Sequence, residues 1–259
     1  MINMDIRKIC EEMIDVAKGA GELISHREDI RVSQKGDIAN LVTTMDVKSQ
    51  DYILKRLMKI LPEAKIIAEE SDHNEFDQGY VWVVDPIDGT TNYAYDLKQS
   101  CISIALLYKG TGFIGVVYNP YLDETFVGVK GHGSYLNEKM IHVRDHDLHA
   151  SLVTVGTAPY AKEKADITFD NLKKIFLNAR DLRRSGSATL DLCHVACGRY
   201  DAFYEASLAP WDYSAAATII QEAGGIIDAL APDRWGYTKS IAVIAGNKNN
   251  FEPLKNLVK

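Results

Sequence analysis

Apolar residues recur at three- and four-residue intervals near the start of the chain, between residues 5 and 26. This spacing describes one apolar face of a helix, and we expect that face to pack on a sheet. The residues are Ile6, Ile9, Cys10, Met13, Ala17, Ala20 and Ile24. A second helical pattern covers residues 46–60 and stops before Pro62, because proline cannot continue a helix.

Strand-forming patterns dominate the middle of the chain. Short apolar runs at 66–68 and 80–84 precede a stretch, residues 100–136, in which β-rich segments alternate with turn residues. Strands are predicted there at 102–108, 113–118 and 125–129, with a further segment at 131–133. The alternation predicts an antiparallel meander.

Helix and strand patterns alternate after residue 150. Strands are predicted at 152–156, 200–204, 226–230 and 242–245, and helices at 167–178, 187–197 and 213–223. We expect these sheets and helices to stack as an α+β or α/β sandwich. A polar segment near residues 145–150 is the predicted boundary between two packed lobes, residues 1–145 and 146–259.

The composition is typical of a globular protein. The chain has 259 residues, of which 46% are hydrophobic, and its four cysteines lack the spacing of a disulfide framework, which fits a reducing compartment. It contains no run of about 18 apolar residues and no signal-peptide pattern at its start, so we expect a cytoplasmic protein. The net charge of -7 disfavours nucleic acid or an anionic membrane as a partner, because both attract Lys and Arg.

The most informative segment is the end of the strand predicted at 80–84, where the chain reads Asp85-Pro86-Ile87-Asp88. Pro86 cannot donate to a β-ladder and favours an extended conformation at Asp85. The backbone can therefore aim two carboxylates and the Ile87 carbonyl at one point. Three oxygen donors of this kind suit Mg²⁺.

Gly89, Thr90 and Thr91 follow directly. Glycine lets a ligand approach the main chain closely, and the three amide groups would cradle a phosphate at the start of a helix or turn. The alternative interpretation of the whole segment is a turn with a helix N-cap.

Two further carboxylates change the balance between these interpretations. Glu69 ends the strand predicted at 66–68, and Asp212 opens an alanine-rich helix. Taken separately, Glu69 is a solvated loop charge and Asp212 an N-cap worth about 1 kcal/mol. If both meet Asp85 and Asp88, however, the four charges repel a phosphate dianion unless two Mg²⁺ ions balance them.

Three motifs resemble the inositol monophosphatase family of lithium-sensitive, magnesium-dependent phosphatases, and the resemblance covers nearly the whole chain. They are Ile-Ala-Glu-Glu-Ser at 67–71, the run from Trp82 to Tyr93, and Trp-Asp at 211–212 with Glu-Ala-Gly-Gly at 222–225. The resemblance implies a layered αβαβα sandwich (the sugar phosphatase fold) and a homodimer. It also implies hydrolysis of a small phosphomonoester, foremost inositol monophosphate, with two or three Mg²⁺ per active site and inhibition by lithium.

The resemblance also implies a set of metal ligands. The first metal would be held by Glu69, Asp85 and the Ile87 carbonyl. The second would be held by Asp85, Asp88 and Asp212, so that Asp85 bridges the two ions.

Catalytic roles are implied for three of the neighbouring side chains. Thr90 and Asp46 would form a dyad that orients the attacking water, assisted by Glu69, while the amides of Gly89 and Thr90 would bind the phosphate. Asp46 has an alternative interpretation as a carboxylate in the first turn of the 46–60 helix, where the macrodipole favours a negative charge.

Substrate hydroxyl groups are met in the family by a small-residue segment and an acid, which correspond here to Gly186-Ser187-Ala188 and Glu205. A carboxylate accepts hydrogen bonds from neutral hydroxyls, so Glu205 favours an inositol-like or sugar-like leaving group. Lys35 corresponds to a loop lysine near the metals, with a solvated surface lysine as the alternative.

Other interpretations stay open at this point. The same chemistry could act on fructose 1,6-bisphosphate, a nucleotide phosphate or histidinol phosphate. A regulatory binding protein that retains the fold is the alternative of another class. The basic residues Arg180, Arg183 and Arg184 are predicted to form a solvated or interface surface.

Overall fold

The computed structural model describes residues 5–26, 30–34, 41–71, 74–231, 236–237 and 239–258. The helices within these ranges are α1 (Ile6–Ser25), α2 (Thr44–Ile60), α3 (Thr90–Ala94), α4 (Ala165–Asn178), α5 (Ala188–Ala196), α6 (Pro210–Glu222) and α7 (Phe251–Leu257). The strands are β1 (Val32–Gln34), β2 (Leu41–Thr43), β3 (Lys65–Ala68), β4 (Tyr80–Asp88), β5 (Cys101–Tyr108), β6 (Thr111–Asn119), β7 (Glu124–Val129), β8 (Gly133–Leu136), β9 (Lys139–Met140), β10 (Leu152–Val155), β11 (Asp181–Arg183), β12 (Ala202–Leu208), β13 (Ile226–Ala229) and β14 (Ile241–Gly246).

The strands form two large sheets and one small hairpin. The first large sheet has the order β3-β4-β5-β6-β7-β8-β9, in which β3 is parallel to β4 and the remaining neighbours are antiparallel. The second has the order β11-β10-β12-β14-β13, with parallel pairing around β10 and antiparallel pairing around β14. The predicted meander is confirmed as β5 to β8.

Alternation of side chains along the strands explains the layers. On β4, Trp82 and Val84 belong to a buried cluster with α1 and α2, whereas Val81 and Val83 face a second cluster with α5 and α6. This period of two is the geometry of a strand buried on both faces. A third cluster joins the outer face of the five-stranded sheet to α4 and α7. The order of layers is therefore αβαβα, as predicted.

Helix α6 lies unusually close to the seven-stranded sheet. A Cβ atom added at Gly115 of β6 would lie 2.2 Å from the Ala215 carbonyl oxygen, so only glycine permits this approach. The close packing carries Asp212, in the first turn of α6, to the end of β4 where the predicted metal ligands lie.

Several observed elements differ from the sequence prediction. Helix α2 begins at Thr44 rather than at residue 46, and β4 continues to Asp88 rather than ending at residue 84. The elements β1, β2, β9, β11 and α7 were not predicted, and α3 was predicted only as a helix or turn that follows Gly89. None of the described helices is long and apolar enough to cross a lipid bilayer. The division into lobes 1–145 and 146–259 stays a prediction.

Candidate active site

A cavity of about 530 Å³ opens where β4 ends and the helices α3, α5 and α6 begin. This volume lies in the usual range for small-molecule sites. Among its lining residues are Glu69, Asp85, Ile87, Asp88, Gly89, Thr90, Gly186, Ser187, Ala188, Glu205 and Asp212. The structure therefore brings together almost all the predicted site residues. Asp46 lies directly behind Thr90, and Lys35 lies outside the described residues.

The carboxylates at the floor of the cavity meet as predicted. Asp85, Asp88 and Asp212 each place an oxygen within 4.8 Å of the others. Glu69 lines the same cavity, and its amide donates to the Val84 carbonyl at 3.2 Å. Parallel pairing of β3 with β4 thus positions Glu69 beside the other three acids.

Burial and mutual repulsion make the ionised form of these carboxylates energetically unfavourable when no cation is bound. Burial raises the pKa of Asp85 well above its ordinary value, and the charges of Glu69 and Asp88 raise it further. Burial and the charge of Asp88 also raise the pKa of Asp212 well above its ordinary value. Hard divalent cations bind negatively charged oxygen ligands such as these buried carboxylates. The residues therefore fit the metal that the sequence predicted.

The backbone between Asp85 and Asp88 is held in the kinked form that the proline predicted. The pairing of β4 with β5 is irregular between these two residues. Asp85 Oδ1 accepts a hydrogen bond from the Ile87 amide at 2.9 Å, and the buried Ser49 hydroxyl donates to the Pro86 carbonyl at 3.0 Å. Both contacts fix the directions of the oxygen donors.

Asp46 contacts both Thr43, at the start of α2, and Thr90. Its Oδ2 accepts hydrogen bonds from the Thr43 amide at 2.7 Å and the Thr43 hydroxyl at 2.5 Å, which completes the capping box of α2. Its Oδ1 lies 3.2 Å from the Thr90 hydroxyl, which is also 3.2 Å from the Ile87 carbonyl oxygen. Burial raises the pKa of Asp46 to about 6. The helix cap therefore supports the carboxylate that contacts Thr90.

Ser187 has a structural contact that the sequence did not reveal. Its hydroxyl donates to Asp88 Oδ2 and accepts from the Leu190 amide at 3.3 Å, as the N-cap of α5. The Thr189 amide donates to the same Asp88 oxygen at 3.0 Å. The N-terminus of α5 thus orients Asp88, and these contacts oppose the effect of burial, which raises the Asp88 pKa to about 6. Substrate contact by Ser187 stays a prediction.

Glu205 forms part of the cavity wall and braces a neighbouring loop. The residue is 6% exposed, and its Oε1 accepts a hydrogen bond from the Ala158 amide at 2.8 Å. Burial raises the pKa of Glu205 to about 7. The braced loop presents Tyr160 to the cavity. Burial and the charges of Glu69 and Asp212 raise the pKa of the Tyr160 phenol.

Lining residues that the sequence did not predict include Tyr160, Asp191 and Arg184. Arg184 was predicted to lie on a solvated or interface surface; it is exposed, and it also lines the cavity. Arg183 is exposed and pairs with Asp181, as that prediction requires. The directions of the two side chains in the loop before α5 determine which arginine lines the cavity, and spacing along the sequence does not show those directions. The only available signal was that Arg184 lies two residues before Gly186.

Comparisons with known proteins agree with this geometry. A family model described as "Inositol monophosphatase family" matches residues 5–258. Inositol monophosphatase 2 of Solanum lycopersicum is 38% identical over 84% of this chain and 87% of its own length. Nus factor SuhB of Escherichia coli K12 is 35% identical over 95% of this chain and 91% of its own length. The structure of an inositol monophosphatase from Anabaena (Nostoc) sp. PCC 7120 superposes with a TM-score of 0.85 at 31% identity, covering 98% of this chain and 96% of that one.

Proposed function

The chain belongs to the inositol monophosphatase family, and from this premise we propose that it hydrolyses inositol monophosphate to inositol and phosphate with Mg²⁺. Phosphomonoester hydrolysis and the use of divalent metal follow from the family and the acidic cluster. The observation that supports the proposal most strongly is the convergence of Asp85, Asp88 and Asp212 within 4.8 Å.

The proposed metal ligands are the five predicted from the sequence. Glu69, Asp85 and the Ile87 carbonyl would hold one Mg²⁺, and Asp85, Asp88 and Asp212 would hold another, in a site of two or three ions. Bound divalent ions supply acidification of a water molecule and stabilisation of charge on the departing oxygen. The protein holds the donor oxygens in position through the backbone contacts of Asp85, Asp88 and Asp212.

The attacking water would be oriented by Thr90 and Asp46, with assistance from Glu69. When Thr90 donates its hydroxyl proton to Asp46 Oδ1, its oxygen lone pairs are left to accept a hydrogen bond from the water. Asp46 is ionised, and accepts this bond, mainly above its pKa of about 6. The amides of Gly89 and Thr90 would bind the phosphate oxygens at the start of α3.

The leaving group would lie against Glu205 and the segment Gly186-Ser187-Ala188. These residues line the cavity, and an ionised Glu205 accepts hydrogen bonds from polyol hydroxyls. Lys35 is the proposed loop contact.

Fructose 1,6-bisphosphate, a nucleotide phosphate and histidinol phosphate are the rival substrates. Phosphate-release assays with Mg²⁺ distinguish activity on each of them from activity on inositol 1-phosphate.

Replacing Asp88 with asparagine tests the proposed chemistry. Asp88→Asn removes one metal ligand charge and is expected to lower phosphate release from inositol 1-phosphate by roughly 100-fold or more. The fold should persist, because an amide oxygen can still accept from the Ser187 hydroxyl and the Thr189 amide. Asp51→Asn, on the exposed side of α2, is the matched control and should keep full activity. Equal activity of both variants would refute the proposal.

A regulatory binding role is kept as the second candidate, because relatives of this chain include proteins named as Nus factors. A homodimer, cytoplasmic location and inhibition by Li⁺ at a magnesium position belong to the same proposal as the substrate, and the family resemblance supports them. Loss of phosphate release in Asp88→Asn favours the enzyme. A wild-type protein that folds but releases no phosphate favours the binding role.

A further inference from the structure

Arg184 is the sole lysine or arginine among the described residues that line the cavity. The same walls carry six carboxylates: Glu69, Asp85, Asp88, Asp191, Glu205 and Asp212. Even so, Arg184 forms no ion pair within 4.0 Å in the described part of the chain, whereas the adjacent Arg183 pairs with Asp181 and Arg199 pairs with Glu124. A guanidinium group without an anionic partner therefore faces a binding cavity.

The backbone on both sides of Arg184 is fixed. The Thr154 hydroxyl donates to the Arg183 carbonyl at 3.3 Å, and the Asn92 side-chain amide donates to the Ser185 carbonyl at 3.0 Å. Asn92 belongs to α3, the helix that begins at the proposed phosphate site. The backbone that carries Arg184 is thereby tied to the active site, while the Arg184 side chain itself is exposed at the cavity.

Gly186 makes room for the guanidinium group. Its φ of +91° is one that glycine adopts readily. A Cβ atom there would lie 3.3 Å from Arg184 Nη1 and 2.9 Å from Asn92 Oδ1. The guanidinium therefore lies beside the main chain of Gly186, in the segment that is proposed to contact the leaving group.

Glu205 lines the same cavity as Arg184. The charge of Arg184 lowers the pKa of Glu205, although burial outweighs it. The phosphate to be hydrolysed belongs at the acidic floor with the metal ions. Arg184 lines the cavity beside Gly186 and has no ion-pair partner among these acids in the described part of the chain, so it is available to another part of the substrate.

We propose that Arg184 binds a second anionic group, a phosphate or a carboxylate, on the leaving group of the phosphomonoester. A planar guanidinium forms paired hydrogen bonds with either group, and these are stronger than bonds to neutral hydroxyls. This inference rests on the proposed phosphatase function and adds, to the proposed substrate inositol monophosphate, phosphomonoesters whose leaving group carries an additional negative charge.

Two matched pairs of substrates test the inference. Fructose 1,6-bisphosphate and fructose 1-phosphate differ by one phosphate, and 3-phosphoglycerate and glycerol 3-phosphate differ by a carboxylate in place of a hydroxymethyl group. Phosphate release with Mg²⁺ gives kcat/KM for each in the wild type, Arg184→Gln, Arg184→Lys and Arg183→Gln. Arg183→Gln is the control because it removes the same charge one residue away, outside the cavity lining.

For each pair, the ratio compares kcat/KM of the substrate that carries the second anionic group with kcat/KM of the one that lacks it. In the pair with the higher wild-type ratio, Arg184→Gln should lower that ratio roughly 10-fold or more, the size expected for losing a charge-assisted contact. Arg184→Lys should recover part of the ratio, and Arg183→Gln should leave it within about twofold. The pair that shows the effect identifies phosphate or carboxylate as the bound group. If the wild type cleaves all four compounds and Arg184→Gln slows each by the same factor, the inference alone is overturned. If the wild type releases phosphate from inositol 1-phosphate but from neither substrate that carries a second anionic group, the inference alone is overturned. If it releases none from inositol 1-phosphate either, the proposed function falls together with it.

Discussion

The acids of the site are positioned by main-chain hydrogen bonds before any ligand arrives. Asp85 accepts from the Ile87 amide, Asp88 from the Thr189 amide, and Asp212 from the Ala209 amide at 2.8 Å. Each carboxylate therefore keeps one fixed orientation, which reduces the reorganisation required when a cation or substrate binds. At the scale of single residues, the site owes its geometry to backbone donors rather than to pairing with basic side chains.

Glu205 allows a test of how burial affects stability. Its pKa is raised from 4.5 to about 7 in the folded protein, so the folded state binds the proton more tightly than the unfolded state. The resulting stabilisation is fully present below pH 4.5 and is lost as the pH rises through about 7. Between pH 5 and pH 8, the wild type should lose about 2 kcal/mol of unfolding free energy that Glu205→Gln does not lose.

The measurement is urea denaturation at both pH values with EDTA present. Other buried acids, including Asp46 and Asp191, titrate in the same range, so the comparison uses the difference between the two proteins rather than either curve alone. An identical loss in both would show that Glu205 is ionised throughout this pH range.

At the scale of helices and strands, the sequence predicted the elements whose side chains repeat regularly. The apolar period of α1 predicted residues 5–26, and the structure has Ile6–Ser25. Strands of two or three residues, such as β9 and β11, are too short to show a period. The segment of β4 beyond Val84 was missed because Pro86 and two carboxylates interrupt the apolar pattern, although pairing with β5 resumes at Asp88.

The convergence of distant residues could be predicted only through the motifs. Nothing in the periodicity of α6 indicates that Asp212 meets Asp85, since that contact depends on the close packing of α6 against Gly115. The resemblance of the motifs to a family supplied this information. It did not supply Arg184, whose direction depends on the local backbone at Gly186.

The N-terminus of α2 should be important for both stability and activity. Thr43 caps this helix by accepting from the Met45 and Asp46 amides, and its hydroxyl donates to Asp46 Oδ2. Thr43→Ala is expected to cost about 1 kcal/mol of unfolding free energy through the lost cap. It should also lower kcat, because Asp46 loses a contact that holds it beside Thr90. Urea denaturation and steady-state phosphate release measure the two effects.

The cap of α1 provides the control for this prediction. Asp5 accepts from the Arg7 and Lys8 amides at the start of α1, away from the cavity lining. Asp5→Ala should therefore destabilise the protein by a similar amount while kcat stays unchanged. Equal loss of kcat in the two variants would mean that general destabilisation, rather than the orientation of Asp46, explains the effect of Thr43→Ala.

At the scale of the whole molecule, the site is assembled from three successive layers. Asp85 and Asp88 come from the seven-stranded sheet, Asp212 from the helical layer in the middle, and Glu205 from the five-stranded sheet. A cation bound among the acids would therefore cross-link a sheet to the adjacent helical layer. Ligand binding and global stability should be coupled for this reason.

Magnesium should accordingly raise the unfolding temperature of the whole chain. At a concentration of about 100 times Kd, ligand linkage contributes about 2.7 kcal/mol, which for a protein of this size corresponds to an increase of about 5–10 °C. Asp212→Asn should lose most of this increase. Its metal-free unfolding temperature should be no lower than that of the wild type, because burial and Asp88 disfavour the Asp212 charge and an amide oxygen can still accept from Ala209. Thermal unfolding with EDTA and with Mg²⁺ gives both quantities. A variant that is already less stable in EDTA, yet responds fully to Mg²⁺, would show that Asp212 supports the fold and does not bind the metal.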